Sequence, residues 1–467
     1  MNSIDAPKVT VYITSYNYAN YVEQAIESVL TQNFEDYELL IFDDGSTDNT
    51  PEVLKRYEDH PKIKIFYQEN SGLPKTCNNA LRVSQGKYIM RLDADDYLDE
   101  NALLVMSNVL DKNPNYGLVY PDYYHISKKG KVLDIIRRNK IGKEDKIMDL
   151  PAHGACTMTR KKCLEEIGGY DEETKCQDGY SLWMKFVQKF KPYNVNLPLF
   201  YYRMHNENLT CNSKKILTTR RYLKEKFVKQ NLKNKPRVLA IIPTRGEIGI
   251  YPKLPLKNIA GKPLVSYVVQ AALNSKNVNK VIITSEDEEI LNYCKTLGSE
   301  IMFRPKELGE PNTPIEPTID YVINKSRKEG FSPDIIIMLF VTSPLITSEH
   351  IEEAINTLLI YNADSVISVK EDNKFHYKHD QFGLKPLFDK RKLRLERESL
   401  FEETGSLFVS KIENINKNNF LGEKISHTVL NEDEANDIHT KFDFWVVEKI
   451  LEEKKRKEKI KGLFDYK

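Results

Sequence analysis

A strand–helix alternation that begins twice is the feature that most constrains the fold. Residues 9–13 form a short run of β-branched and aromatic side chains, and residues 238–242 form a second apolar run. Each run ends in a turn signal, and apolar residues at helical spacing follow it. Strands that alternate with helices indicate an α/β domain with a largely parallel sheet. The chain is therefore predicted to hold two α/β domains in tandem, and no sequence repeat relates them.

Further elements extend both alternations. In the first half we predict strands at residues 38–42, 63–67 and 87–92 and a helix near residues 76–83. In the second half we predict a helix at residues 265–273 and strands at 280–284 and 335–341. Ligands of α/β sheets bind at the loops that follow the carboxyl ends of strands, so polar residues there are the candidates for function.

A basic segment separates the two halves. Residues 214–236 hold nine lysines and arginines and one acid, Glu225, while Ile216, Leu223 and Phe227 have the spacing of one helical face. One interpretation is a basic amphipathic helix that rests on an anionic membrane. The other is a solvated helix that closes the first domain before a linker. The predicted domains are residues 1–213 and 237–467, with the helix and linker at 214–236.

Composition excludes several classes of protein. Of the 467 residues, 40% are hydrophobic and 29% charged, which argues against disorder and against a membrane protein. Lys and Arg number 35 against 32 Asp and Glu in residues 1–235, and 34 against 36 in residues 236–467, so no nucleic-acid partner is expected. The six cysteines form no C-x-x-C pair, and the first residues lack the apolar core of a signal peptide. We expect a cytoplasmic protein, peripheral to the inner face of the membrane if the basic helix binds lipid.

Carboxylates cluster after two strands of the first half. Asp43 and Asp44 follow one strand, and Asp93, Asp95 and Asp96 follow another. Like charges this close repel one another, and a divalent cation with oxygen ligands, Mg²⁺ or Mn²⁺, removes the penalty. Such a metal stabilises a departing diphosphate. Aspartates also cap turns and helices without any metal, so two clusters on one sheet are better evidence than one.

Three motifs in this order resemble those of the family 2 glycosyltransferases, which have the GT-A fold. They are residues 14–17 (TSYN), 43–46 (DDGS) and 93–96 (DADD), and the resemblance covers about residues 7–210. It implies nucleotide-binding roles for Thr14, Tyr16 and Asp44. It also implies that the metal and the sugar diphosphate are bound by the acidic motif, with Asp95 as the most direct ligand; the candidates are Asp93, Asp95 and Asp96.

The family also needs a base that takes the proton of the acceptor hydroxyl as it attacks the anomeric carbon. Residues 177–183 (QDGYSLW) resemble the family's acidic segment with a tryptophan, which implies that Asp178 is this base. Family members often have Glu-Asp here, whereas this chain has Gln177, so one carboxylate is present. His205 is a candidate for contact with the diphosphate, and a structural histidine is the alternative.

In the second half, Arg245 and Gly246 follow a strand and precede a loop with Lys253, Lys257 and Lys262. Backbone N–H groups and cations of this kind offset the charge of a triphosphate. Neither the P-loop pattern nor G-x-G-x-x-G is present. The half, from about residue 237 to 450, resembles the cytidylyltransferases that activate acidic nine-carbon sugars such as sialic acid. The matching segments are residues 241–246 (IIPTRG), 256–259 (LKNI), 261–264 (GKPL), 285–287 (SED), 304–305 (RP), 342–345 (TSPL) and 437–438 (DI).

This second resemblance implies roles for five residues. Arg245 and Lys257 would be the catalytic residues that contact the triphosphate, Asn258 would support the nucleotide-binding loop, and Arg304 would lie near the nucleotide. Asp437 would bind the metal, and residues 403–406 correspond to the family's sugar-facing turn.

The chain departs from the second family's pattern at three places. The phosphate loop, usually Arg-Gly-Gly-Ser-Lys, has extra residues before Lys257, and Phe340 and Val341 stand where the family has Gln-Pro. The second metal-binding aspartate is replaced by His439, a poorer ligand for Mg²⁺.

Together the resemblances imply two tandem Rossmann-like nucleotide-binding domains, a GT-A glycosyltransferase followed by a nucleotidyltransferase. The expected function is bifunctional and belongs to surface polysaccharide or glycoconjugate biosynthesis. One activity is metal-dependent inverting transfer from a nucleotide-sugar to a sugar or glycoconjugate acceptor, with Mg²⁺ or Mn²⁺. The other is nucleotidyl transfer from a nucleoside triphosphate, expected to be CTP, to a sugar, expected to be a nonulosonic acid, with release of pyrophosphate.

Two alternatives remain for the second half. The first alternative to CTP-dependent transfer is a catalytically degenerate binding module. The second is a domain that makes a nucleoside diphosphate sugar from a sugar phosphate. The second alternative fits the chemistry of the acidic motif, because a CMP-sugar releases a monophosphate whereas an Asp-x-Asp metal site suits a diphosphate.

Overall fold

The chain forms two compact units, Met1–Arg220 and Arg221–Lys467. The computed structural model describes residues 6–138, 154–174, 177–205, 213–232, 234–248, 251–310, 313–372, 374–388, 400–415 and 420–464. The division between the units falls inside residues 214–236, which we predicted to be a helix and linker. Each unit carries a sheet with helices, so the predicted α/β fold class is confirmed.

The first unit contains nine strands and six helices in its described residues. The strands are β1 (Val9–Ser15), β2 (Tyr37–Asp43), β3 (Ile63–Tyr67), β4 (Tyr88–Asp93), β5 (Tyr97–Leu98), β6 (Tyr116–Ile126), β7 (Val132–Ile136), β8 (Met158–Arg160) and β9 (Lys191–Arg203). The helices are α1 (Val22–Leu30), α2 (Thr50–Lys55), α3 (Leu73–Val83), α4 (Ala102–Lys112), α5 (Lys161–Glu166) and α6 (Asp178–Val187).

The sheet of the first unit has the order β3-β2-β1-β4-β8-β6-β9-β5, with β7 paired to β6. The four strands β3, β2, β1 and β4 are parallel, so their carboxyl ends meet at one edge. The register places Ser15 beside Asp43 and Thr14 beside Asp93. All seven residues of β1 and of β2 are buried, as expected for parallel strands covered on both faces. The fold therefore brings the three predicted motifs to the same edge.

A helix crosses the division between the units. This helix, α7 (Ser213–Asn231), lies where the basic segment predicted one. Within the second unit, Leu223 and Lys224 are buried, and the carboxylate of Glu353 accepts hydrogen bonds from Lys224 Nζ at 3.1 Å and Arg221 Nε at 3.0 Å. Neither interpretation of the basic segment foresaw this buried ion pair.

The second unit contains thirteen strands and five helices in its described residues beyond α7. The strands are β10 (Val238–Pro243), β11 (Glu247–Ile248), β12 (Tyr251–Pro252), β13 (Asn258–Ile259), β14 (Lys262–Pro263), β15 (Lys280–Ser285), β16 (Glu300–Phe303), β17 (Ile335–Leu339), β18 (Ser365–Asp372), β19 (Tyr377–His379), β20 (Leu384–Pro386), β21 (Leu400–Lys411) and β22 (Ile425–Val429). The helices are α8 (Val265–Leu273), α9 (Glu288–Thr296), α10 (Glu316–Lys328), α11 (Ser348–Tyr361) and α12 (Lys441–Phe464).

The main sheet of the second unit has the order β16-β15-β10-β17-β21-β18-β22. Strands β16, β15, β10 and β17 are parallel, whereas β21 runs antiparallel to both of its neighbours. The carboxyl ends of β10, β15 and β17 carry the loops with Arg245, Glu286 and Ser343. Within the described part of the chain, no helix combines the length and the apolar character that crossing a bilayer requires.

Candidate functional site

The loop after β1 is tied to the loop after β2 in the first unit. Asn17 has a φ of 61°, and its Oδ1 accepts a hydrogen bond from Thr47 N at 2.7 Å while its own N–H donates to Ser46 Oγ at 2.9 Å. Thr14 is buried at the end of β1, and Tyr16 is 46% exposed. Of these two predicted nucleotide contacts, only Tyr16, in the loop after β1, lies open to solvent.

The carboxylate of Asp44, the third residue predicted to bind the nucleotide, accepts hydrogen bonds from other residues of the protein. Its Oδ1 accepts hydrogen bonds from Gln68 Nε2 at 2.7 Å and Ser71 N at 2.9 Å, and its Oδ2 accepts one from Gly72 N at 2.9 Å. The carboxylate thus holds the loop after β3 against the carboxyl edge of the sheet. Whether it also touches a nucleotide stays a prediction.

Asp95 and Asp96 form a buried acidic pair directly after β4. Burial and the neighbouring Asp93 carboxylate raise the pKa of Asp95, and burial with the charge of Asp95 raises the pKa of Asp96 well above its usual range. His205 Nε2 lies 2.8 Å from Asp95 Oδ2. Asp96 Oδ1 accepts a hydrogen bond from Arg203 N at 2.8 Å, whereas Asp96 Oδ2 is buried without a hydrogen-bond partner.

Arg203 braces the acidic pair from β9. Its Nε donates to the backbone oxygen of Asp95 at 2.7 Å, and its guanidinium lies 4.9 Å from the centre of the Tyr21 ring. His205 stacks on the same tyrosine, with ring centres 6.1 Å apart. No role was predicted for Arg203, although an arginine two residues before the candidate His205 was the available signal.

Asp93 and Asp178 are joined by one arginine. Arg91 Nε and Nη2 donate to the two oxygens of Asp93 at 2.6 and 2.9 Å, and Arg91 Nη1 donates to Asp178 Oδ2 at 2.7 Å. Asp178 is the first residue of α6, and Gln177 before it has a φ of 61°. The structure therefore brings the predicted base next to the acidic motif through a residue that the sequence analysis missed.

Asp95 and Asp96 are the residues of the first unit that could hold a divalent cation. Among the described residues, no group of three or more His, Cys, Asp or Glu side chains is arranged to hold a metal ion. The pair nevertheless fits a divalent cation that also takes phosphate oxygens, because such sites commonly use one or two carboxylates. The unpartnered Asp96 Oδ2 and the mutual repulsion of the pair are the two observations that support this fit.

In the second unit, Arg245 and Arg304 line a cavity of about 280 Å³ at the carboxyl edge of the sheet. Its other walls are largely apolar, formed by Pro243, Ile315, Phe340, Val341 and Thr342. The side chain of Arg304 is fully buried, its Nη1 has no hydrogen-bond partner, and burial lowers its pKa. The two predicted nucleotide-binding arginines thus share one cavity.

Glu286 occupies donors that a phosphate would need. Its Oε1 accepts a hydrogen bond from Gly246 N at 3.0 Å, and its Oε2 accepts two from Arg304, from Nε at 3.1 Å and Nη2 at 2.8 Å. A Cβ on Gly246 would approach Asp287 Oδ2 to 2.7 Å, so the loop passes close to a second carboxylate. No role was predicted for Glu286 or Asp287, although both belong to the matching segment 285–287.

The predicted lysine and asparagine of the second unit lie on the surface. Lys257 Nζ is 4.9 Å from the centre of the Tyr251 ring, and Asn258 Oδ1 accepts a hydrogen bond from Gly261 N at 3.0 Å. Lys253 pairs with Glu289. Asn258 thus closes its own turn, and the roles of Asn258 and Lys257 at a nucleotide stay predictions.

Asp437, the predicted metal ligand of the second unit, is held by two serines. Its Oδ1 accepts hydrogen bonds from Ser343 Oγ at 2.7 Å and Ser406 Oγ at 3.0 Å, and burial raises its pKa. His439 Nε2 lies 3.8 Å from Asp437 Oδ2, and the histidine side chain is 73% exposed. Residues 403–406 lie within β21 rather than in the turn that the resemblance implied, and Ser406 brings this part of the strand to the predicted metal residue.

Comparison with known proteins identifies both units. The family model described as glycosyl transferase family 2 matches residues 10–168. An uncharacterized glycosyltransferase of Rickettsia prowazekii (strain Madrid E) is 30% identical over 216 residues, which are 44% of this chain and 67% of that protein. The chain belongs to glycosyl transferase family 2. The family model described as cytidylyltransferase matches residues 239–463, so the predicted pair of enzyme domains is confirmed.

Other relatives of the glycosyltransferase domain are longer than this chain. Chondroitin synthase of Escherichia coli is 28% identical over 203 residues, which are 43% of this chain and 30% of that protein. The chain thus spans about a third of the length of the first curated relatives it matches. The solved structure of S. aureus TarS 1–349 in complex with UDP-GlcNAc is 17% identical, covers 48% of this chain and 68% of that chain, and has a TM-score of 0.41.

Proposed function

We propose that the glycosyltransferase domain moves a sugar from a nucleoside diphosphate sugar to a carbohydrate acceptor with inversion at the anomeric carbon. The observation that carries the proposal is the buried Asp95–Asp96 pair, with its raised pKa values, beside the Arg91-linked base Asp178. A structural turn gains nothing from buried carboxylates that repel one another. A cation-binding site uses that arrangement.

Asp95 and Asp96 would hold Mg²⁺ or Mn²⁺, which supplies positive charge to the leaving diphosphate. Asp178 takes the proton of the acceptor hydroxyl while that oxygen bonds to the anomeric carbon. The bond from the anomeric carbon to the diphosphate oxygen breaks on the opposite face, and a nucleoside diphosphate leaves. Tyr16, which is exposed just after the end of β1, would contact the nucleotide.

A donor screen tests this proposal. The full chain is incubated with each common nucleoside diphosphate sugar, an oligosaccharide acceptor and Mn²⁺ or Mg²⁺, and release of nucleoside diphosphate is measured. We expect release that needs both metal and acceptor, with inverted configuration in the product. Release that continues in excess chelator would contradict the metal role. No release with any donor would contradict the transfer itself.

For the cytidylyltransferase domain we propose nucleotidyl transfer from CTP to an acidic sugar. The oxygen of a sugar hydroxyl attacks the α-phosphorus and releases its proton to solvent, the bond to the β-phosphate oxygen breaks, and pyrophosphate leaves. Arg245 and Arg304 in the shared cavity support binding of a nucleotide, because guanidinium groups in an apolar cavity pair strongly with anionic or carbonyl oxygens. Catalysis of this step would come from positioning of the reactants and neutralisation of the triphosphate charge.

A second candidate for this domain is a binding module without catalysis. Glu286, which occupies Gly246 N and Arg304, favours it, and so does the replacement of a metal-binding aspartate by His439. Measurement of pyrophosphate release distinguishes the two candidates. Incubation of the full chain with each nucleoside triphosphate and a panel of sugar acids yields pyrophosphate only for the enzyme, whereas calorimetry detects nucleotide binding for both.

A further inference from the structure

The guanidinium of Arg91 is shared between two carboxylates of the glycosyltransferase domain. Two of its nitrogens meet both oxygens of Asp93, and the third meets Asp178. The Arg91 side chain is 8% exposed, so these contacts lie inside the protein rather than in water. A planar guanidinium with fixed donor directions sets the relative position of the groups it binds, which a flexible ammonium group does not.

Glycine at position 154 makes room for this guanidinium. A Cβ built on Gly154 would lie 3.3 Å from Arg91 Nη1, 3.6 Å from Cζ and 3.7 Å from Nη2. Three similar distances indicate that Gly154 lies against the face of the guanidinium plane. The backbone oxygen of Arg91 also accepts a hydrogen bond from Cys156 N at 2.7 Å, so the arginine is fixed at both ends.

We propose that Arg91 is a positioning residue that fixes the base Asp178 relative to the acidic motif. Asp93 belongs to the strand that leads into Asp95 and Asp96, and Asp178 begins α6, so a single side chain sets the distance between the metal side and the base side of the reaction. The inference rests on the proposed role of Asp178. Because Arg91 engages both oxygens of Asp93, metal binding falls mainly to Asp95 and Asp96.

Arg91→Lys is the central variant, because it keeps a positive charge but supplies one ammonium group in place of the fork. It is combined with Asp178→Asn in a double-mutant cycle on the full chain. We expect Arg91→Lys to lower kcat about 10²-fold, the cost of misplacing a reacting group by about 1 Å. The KM for the donor should change far less. In the Asp178→Asn background, Arg91→Lys should cause little further loss.

Two further variants distinguish a loss of positioning from a general loss of folding. Gly154→Ala keeps every charged group and crowds the guanidinium, so it should lower kcat in the same direction by a smaller factor. Arg160→Lys is the control, because Arg160 bonds to the backbone oxygens of Tyr116 and Leu110 and to neither carboxylate. It should leave kcat unchanged.

Hydrogen exchange of the α6 amides supplies a readout that needs no turnover. Arg91→Lys and Asp178→Asn should each speed exchange at the start of α6, and the double variant should not exceed the larger single effect. The inference would be overturned if Arg91→Lys lowered kcat by the same factor in the parent and in the Asp178→Asn background. Unchanged hydrogen exchange at the start of α6 in Arg91→Lys would also overturn it. If the parent protein transfers no sugar but the exchange data show the coupling, the proposed function fails while Arg91 remains the residue that positions Asp178.

Discussion

At the scale of single residues, burial of the acidic pair of the glycosyltransferase domain costs the fold stability. Burying an ionised carboxylate is unfavourable unless donors or cations compensate for it. Asp96 Oδ1 accepts a hydrogen bond from Arg203 N, whereas Asp96 Oδ2 has no donor. Asp95 Oδ2 is paired with His205 Nε2. A local loss of stability is typical of residues that are kept for function, and the metal-binding role proposed for this pair is such a function.

We predict that Asp95→Asn lowers sugar transfer by more than about 10²-fold, which is comparable to removing other electrostatic stabilisers. The melting temperature of the metal-free protein should stay the same or rise, because the variant removes one of the buried charges that repel each other. The measurements are transfer rate at saturating Mn²⁺ and thermal unfolding in chelator. Glu100→Gln, an exposed carboxylate a few residues away, is the control and should change neither. Transfer at the parent rate in Asp95→Asn would remove this residue from the site.

The second residue-scale prediction concerns His439, which faces Asp437 across 3.8 Å. We predict that His439→Asp tightens binding of Mg²⁺ in the presence of CTP, since Mg²⁺ prefers anionic oxygen to imidazole nitrogen. His439→Ala should bind as the parent does. Calorimetric titration of the three proteins with Mg²⁺ and CTP decides the matter. Equal affinities in His439→Asp and His439→Ala would show that Asp437 acts alone or that no metal binds there.

At the scale of elements, the apolar runs predicted strands and helices well where local signals dominate. Strand β3 and helix α8 have the predicted bounds, residues 63–67 and 265–273. Helix α3 begins at Leu73 rather than near residue 76, because Gly72 with φ 85° and Pro74 in the first turn start it earlier. Strand β17 ends at Leu339 because Ser343 N bonds to Phe340 O in a turn.

The candidate site was predictable only where residues of one motif act together. The motifs located the strand ends, and parallel register brought Thr14 beside Asp93. Arg91 and Glu286 were missed because each has a partner far along the chain, 87 residues away for Arg91 and Asp178 and 40 for Glu286 and Gly246. A charged residue inside an otherwise apolar strand was the one signal for Arg91, and it does not name the partner.

The element-scale prediction concerns the anchor of α7 in the second unit. Burial alone would raise the pKa of Glu353, but Lys224 and Arg221 outweigh burial and lower it. A carboxylate with a lowered pKa stabilises the fold above its unfolded pKa of about 4.3, and this contribution is lost as pH falls below that value. We therefore predict that Glu353→Gln destabilises the protein by about 3–5 kcal/mol at pH 7, with a smaller difference from the parent near pH 3.

Denaturant unfolding at the two pH values measures this effect. Glu225→Gln is the matched control, because Glu225 pairs with Lys229 on an exposed face of the same helix. Its effect should be about 0.5 kcal/mol or less. Equal costs for the two variants would show that the buried ion pair contributes no more than a surface one.

At the scale of the whole molecule, the position of the boundary between the domains decides how the chain can be divided. A cut at residues 235/236 follows from the sequence, because a fresh strand begins soon afterwards. The structure places Arg221 and Lys224 in the second unit, bonded to Glu353. Cutting at 235/236 removes both cations from the second fragment and leaves a buried carboxylate without them.

We predict that fragment 213–467 folds and melts roughly 10 °C above fragment 236–467, since the lost ion pair costs several kcal/mol in a domain of this size. Fragments 1–220 and 1–235 should melt at similar temperatures, because both keep the whole first unit, and this pair controls for general effects of truncation. Thermal unfolding of the four purified fragments, followed by circular dichroism, makes the comparison. Adding Glu353→Leu to fragment 236–467 should recover much of the difference, because an apolar side chain of similar volume needs no cation. If 236–467 is as stable as 213–467, α7 is dispensable for the cytidylyltransferase domain, and the boundary drawn from the sequence is the better one.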